Sequence, residues 1–248
     1  MKHALPVFRL NARNQQLIRL AQAWCYTKAM AQARTHLDTP EPRWQALLAL
    51  CAVGATSLAL PRWLSLGPRW LLPLIIVVLL VPTVFAHRTG RHSLNHYLGI
   101  VINGLITGSL IGSVILLVTA LPAQKEPPIA LLRSAGTLWL SNVLVFGLWY
   151  WRLDGGGPNA RHAERAGGSR SFVFPQMQVE KSEQPAFGID HWRPGFVDYL
   201  FIAFTTSSTF GPTDSPILKP WAKIFAMLQA IISLTIIALL VSRAVGVL

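Results

Sequence analysis

Between Tyr97 and Leu121 the chain runs for 25 residues without a single charge. At 1.5 Å rise per residue a helix of that length measures about 37 Å, more than the roughly 30 Å hydrocarbon core of a bilayer. Such a run must either be wrapped in protein or cross a membrane. Four further apolar runs, Trp44 to Trp63, Trp70 to Ala86, Ile129 to Trp151 and Trp221 to Val241, leave too little polar chain to wrap it. Of the 248 residues, 52% are hydrophobic and 13% charged, against about 25% charged in a soluble domain. The predicted fold class is an all-α integral membrane protein with about five transmembrane helices, plus a re-entrant pore-type helix and loop before the last span.

Four regions follow from the runs. Residues 1–43 form a basic N-terminal segment in which Leu17, Leu20, Ala21, Trp24 and Lys28 are spaced for an amphipathic helix over residues 14–35. That helix lies either on a membrane surface or in solvent. Residues 44–152 make a four-helix membrane domain, ending in the interfacial belt Trp149, Tyr150, Trp151 and Arg152. Residues 153–193, glycine-rich and charged, read as a flexible linker in which "SFVFPQM" is the one apolar island, able to dock on the membrane or on the helices. Residues 194–248 hold the polar turn and the final span. The N-terminus lacks an unbroken apolar stretch and a small-residue cleavage site, so the first span is expected to serve as its own insertion signal.

Cytoplasmic flanks retain Lys and Arg. With the N-terminus inside, residues 1–43 contribute seven, His87 to His96 two and the linker together with Arg152 six, against Arg62, Arg69, Lys125, Arg133 and Arg243 outside. Fifteen against five predicts a bacterial-type plasma (inner) membrane protein with its N-terminus in the cytoplasm. The cations lie between apolar runs rather than along one face, so no nucleic-acid partner is expected.

Cys25 and Cys51 stand far apart without metal-ligand spacing and read as plain thiols. His92 and His96 share a helix face, with His87 nearby, but no carboxylate or thiol accompanies them, and neither a metal nor any other cofactor is expected. Asp154 beside Arg152 reads as a local ion pair. Asn103 and Asn142 read as interhelical hydrogen-bonding groups, and Gly104, Gly108 and Gly112 as a surface for close helix approach. No nucleophile–base set or phosphate loop occurs, so the chain is not expected to be an enzyme.

The informative stretch is "DYLFIAFTTSSTFGPTDSPILKPWAKIF", Asp198 to Phe225. A helix of about 12 residues ending at Thr206 is about 18 Å long and cannot cross the core, so the chain must turn back. Non-helical backbone survives at membrane depth only where protein buries it or water lines it. An interfacial helix followed by a Ser/Thr-rich surface turn is the alternative.

Across residues 192–245 the order of short helix, Thr-rich turn and long helix resembles the pore-loop domain of the potassium-channel superfamily. Thr205 and Thr206 match its Thr pair; Thr209, Phe210 and Gly211 match the first filter residues; Asp214 matches the terminal Asp. The resemblance implies carbonyls and a hydroxyl replacing an ion's water shell, in a homo-oligomer, most naturally a tetramer, passing monovalent cations. Pro212 and Thr213 replace the family's Tyr and second Gly, which implies a pore without a strict potassium filter. In the final span Gln229 and Ser233 share a face continued by Ile237 and Leu240. That face either lines a lumen, with Leu240 as a dewetting gate, or hydrogen-bonds a neighbouring span. A non-conducting scaffold or partner-binding subunit is the competing functional class.

Overall fold

The structure, a computed structural model, describes residues 24, 43–89, 92–120, 127–163, 169–190, 192–211 and 214–245. Glu41–Leu248 is one compact unit; of the separate unit Met1–Pro40 only Trp24, which is helical, falls among the described residues. The amphipathic helix expected over residues 14–35 therefore lies outside them.

The elements are α1 (Trp44–Ala59), a 3-10 turn (Arg62–Leu64), α2 (Leu71–Arg88), α3 (His92–Ala120) and α4 (Pro128–Leu153). After these come the short helices α5 (Pro158–Ala163) and α6 (Pro175–Gln178), then α7 (Phe196–Thr209) and α8 (Pro220–Val245). No strand occurs among the described residues; Phe172 and Ile217 form an isolated antiparallel bridge. The all-helical expectation holds. Three helical stretches, Ser93–Ala120, Ile129–Gly156 and Pro220–Ser242, are long and apolar enough to cross a membrane. Trp44–Ala59 and Leu71–Phe85 are apolar but shorter.

Helix α4 is the centre of the bundle. Every residue from Ser141 to Trp151 is buried, as for a helix enclosed on all sides. Helices α1, α3, α7 and α8 all pack against it. The outward faces are as apolar as the core: Val81 and Phe85 on α2 are each 67% exposed and Ile231 on α8 is 62% exposed. A surface of that kind suits lipid and not water.

Helix α4 starts at Pro128, whose missing N–H is not needed at the first turn. It ends in Asp154 followed by Gly155, Gly156 and Gly157, with φ of 57°, 77° and 93°. Only glycine adopts three such angles in a row cheaply, so the chain reverses at once and brings Arg161 back under the helix end.

Of the two places where the apolar island of residues 153–193 could dock, the structure shows the helices. Residues 169–190 are laid against the helices: Phe172 and Phe174 are buried, with Phe172 5.1 Å from the Tyr150 ring and Phe174 5.3 Å from the Tyr199 ring. The apolar island docks because two aromatic rings gain more from this pocket than the backbone loses by being fixed. The glycine face is corrected. Among the described residues no atom lies within 4 Å of a Cβ placed on Gly104 or Gly108, whereas Gly112 receives Leu66.

Candidate functional site

Helix α7 begins at Gly195, whose N–H donates to Asp198 Oδ2 at 2.7 Å and so starts the first turn. It then runs antiparallel to α4. Phe196 meets Trp151, centroids 6.0 Å apart, at one end, and Phe204 meets Trp139 at 5.8 Å at the other. Gly147 lets the two backbones approach, since a Cβ there would stand 3.3 Å from Leu200 Cα.

The chain then returns. Val173 N–H donates to Pro216 O at 3.1 Å and Leu218 N–H to Ser171 O at 2.8 Å, so residues 216–218 lie beside the docked aromatics. Trp221 faces Phe172, and Phe225 faces Trp149 at 5.2 Å, as α8 sets off parallel to α7. Both ends of residues 196–219 therefore sit at the C-terminal end of α4, and the tip lies level with its middle.

A buried polar network holds that tip. Gln229 Nε2 donates to Ala203 O at 2.6 Å and to Ser207 Oγ at 2.7 Å, and its Oε1 accepts from the Tyr150 hydroxyl at 2.5 Å. Ser233 Oγ donates to Ser207 O at 2.6 Å and accepts from Trp139 Nε1 at 3.0 Å. Asn142 Nδ2 donates to Gln229 O at 3.2 Å. Ser207, Gln229, Ser233 and Asn142 are all fully buried. Three helices are thus joined through side chains closed off from solvent, where water offers no competing partner.

A second cluster anchors the start of α7. Asp154, fully buried, accepts from Ser171 N–H at 2.6 Å and from the Tyr199 hydroxyl at 2.7 Å. Arg161 Nη1 donates to the carbonyls of Trp151 and Asp154, each at 2.7 Å, and its guanidinium lies 5.0 Å from the Tyr199 ring centroid. Asp154 is therefore not the partner of Arg152, which donates to Asn95 O at 3.3 Å. The sequence reading looked one turn too near, because the glycine reversal brings residues from 161, 171 and 199 to the same carboxylate.

The filter candidates separate into two groups. Thr206 is fully buried and, among the described residues, its Oγ1 has no hydrogen-bond partner. Thr205 bonds back to Phe201 O and Ile202 O within its own helix. Thr209 is exposed, with Oγ1 2.7 Å from both Thr205 O and Gly211 O. Phe210, 47% exposed, ends α7 with φ of 61°, the left-handed position usually given to glycine. Gly211 follows, half-buried, and Asp214 is exposed. Pro212 and Thr213 lie outside the described residues.

The lumen-lining expectation for Gln229 and Ser233 does not fit this geometry. A residue lining a lumen between copies would be open in one chain, and these two are closed inside it. They form the hydrogen-bonded contact with a neighbouring helix that the sequence left as the alternative. Ile237 and Leu240 are half-buried, Leu240 against the core. Ser207 and Tyr199 were not singled out by the sequence, and Tyr150 was expected in an interfacial belt, whereas Trp149, Tyr150 and Trp151 are all buried; a hydroxyl on an otherwise apolar face was the available signal.

No family model matches the chain, and no curated protein or solved structure matches it either.

Proposed function

We propose that this chain is a channel-like integral membrane protein in which residues 196–219 form a re-entrant loop, and that copies of it assemble into a homo-oligomer, most naturally a tetramer, passing monovalent cations. In this reading α1 and α2 also cross, giving five spans. Their lengths, 16 and 18 residues, fall at the lower limit for a bilayer, and Trp44, Trp63 and Trp70 would mark their interfaces. The N-terminus is cytoplasmic by the charge count, so the loop enters from the cytoplasmic face.

One observation carries the proposal. Ser208, Thr209 and Phe210 are exposed on the outside of the chain at the level of the middle of α4, next to the turned backbone at Gly211. Hydroxyls and non-helical carbonyls at that depth need protein or water over them. A ring of identical loops supplies both, with Thr209 and the carbonyls of Phe210 and Gly211 toward the centre.

A non-conducting scaffold is the second reading, favoured by the burial of Gln229 and Ser233, which leaves an inner-helix face without polar groups for a cavity. Stoichiometry and flux together separate the two. The full-length protein is expected to run as an oligomer in mild detergent and to release a cation gradient from liposomes. A monomer without cation flux defeats the channel reading.

A further inference from the structure

Away from the loop, the start of α1, the end of α2, the start of α3 and the end of α4 enclose a cavity of about 150 Å³. All four helix ends lie at one face of the bundle. We propose that this cavity binds the phosphate–glycerol region of an acidic phospholipid from the surrounding leaflet. The chemistry recognised is a phosphate monoanion with an ester-linked apolar chain. The proposal needs the chain to lie in a membrane but not to conduct.

Three observations point to that ligand. Arg43 and Arg152 both line the cavity, and among the described residues no acidic one does. Arg152 is fixed there by its bond to Asn95 O and by the absence of a side chain on Gly99, where a Cβ would overlap the guanidinium. Deeper in, the walls are apolar, with Leu50, Leu80, Ile102 and Leu148. Among these apolar walls lies Asn103, 3% exposed, whose Nδ2 has no hydrogen-bond partner among the described residues.

A buried amide donor without an acceptor is costly, and an incoming carbonyl would remove that cost. The order of the groups matches a phospholipid read from the surface inward. Guanidinium groups meet the phosphate, the Asn103 amide donates to an ester carbonyl, and leucines flank the first carbons of the chain. Basic pockets between spanning helices on the cytoplasmic side bind acidic headgroups in this way, and the charge count puts this end of the bundle on that side. Free phosphate offers the same anion but leaves both the apolar walls and the Asn103 donor without a partner.

The test uses the full-length protein in detergent, incubated with equal amounts of phosphatidylglycerol and phosphatidylcholine of the same chains, with retained lipid read by native mass spectrometry. Wild type is expected to retain phosphatidylglycerol in excess. Arg152→Gln should lower that retention about fivefold, the effect of one arginine near an anionic lipid. Asn103→Leu should lower it while leaving the melting temperature unchanged or raised. Should Arg152→Gln fail to fold, Asn103→Leu decides alone. Equal retention of the two lipids, or unchanged phosphatidylglycerol retention in Asn103→Leu, overturns the proposal. A thermal shift with inorganic phosphate alone as large as that with phosphatidylglycerol overturns the assignment to lipid.

Discussion

The amide nitrogen of Gln229 and the hydroxyl of Ser207 meet at 2.7 Å, both side chains without solvent exposure. The bond joins a short helix that cannot cross a bilayer to one that can. Gln229 also holds Ala203 O and the Tyr150 hydroxyl, so one side chain ties α7, α8 and α4.

Replacing Gln229 by leucine takes a partner from each of those groups and leaves the Tyr150 hydroxyl with none among the described residues. A buried orphan costs about 1–3 kcal/mol, so Gln229→Leu should destabilise by at least that much in a denaturant titration. Adding Tyr150→Phe removes the orphan. The double variant should then be more stable than the sum of the two single losses implies, and simple additivity would count against the network.

Tyr199→Phe removes the hydroxyl that donates to the buried Asp154 carboxylate while keeping the ring beside Phe174. A hydrogen bond to a charged group contributes about 1.5–3 kcal/mol. Amide exchange should rise locally over residues 171–174 and 196–200, and little in α3. Uniform exchange across the bundle would contradict a local anchor.

Thr206→Val goes the other way. The Thr206 hydroxyl is buried without a partner among the described residues, and valine has nearly the same shape. The variant should match or exceed wild type in thermal stability. A clear loss would mean that the hydroxyl is hydrogen-bonded in the assembled protein.

Gly147→Ala tests the packing of α7. A methyl group there would stand 3.1 Å from Leu200 Cδ1 and 3.3 Å from Leu200 Cα, so the helix must move outward. Overpacking of this kind costs about 1–3 kcal/mol. Gly136→Ala, on the same helix with open space around it, should cost nothing and serves as the control.

Much of this was legible in the residues. The length of the polar-tipped helix follows from counting apolar positions: residues 194–206 were expected and Phe196–Thr209 is found. That Gln229 and Ser233 share a face follows from their spacing of four. What they face does not, because Ser207, Tyr150 and Trp139 arrive from distant positions and carry no periodic signal. Asp154 shows the same limit. Its neighbour Arg152 was the natural partner by proximity, yet three left-handed glycines turn the chain and substitute Tyr199 and Ser171. Residues 153–193 read as flexible by composition, but their one apolar island was able to dock, and its two buried rings, Phe172 and Phe174, fix the course of the chain there.

The dependence of α7 on α8 also sets an order of events during synthesis. The bonds that Ser207 and Ala203 O make to Gln229 and Ser233 form only after those two residues, which follow the whole of α7, have left the ribosome. Until then the 14-residue helix lacks its bonds to α8. On the re-entrant reading proposed above, the segment waits at the membrane surface while α8 inserts, then folds inward between two helices already in place. A nascent chain truncated before Gln229 should therefore leave residues 203–209 accessible from the aqueous side, and lengthening it past Ser233 should close them off.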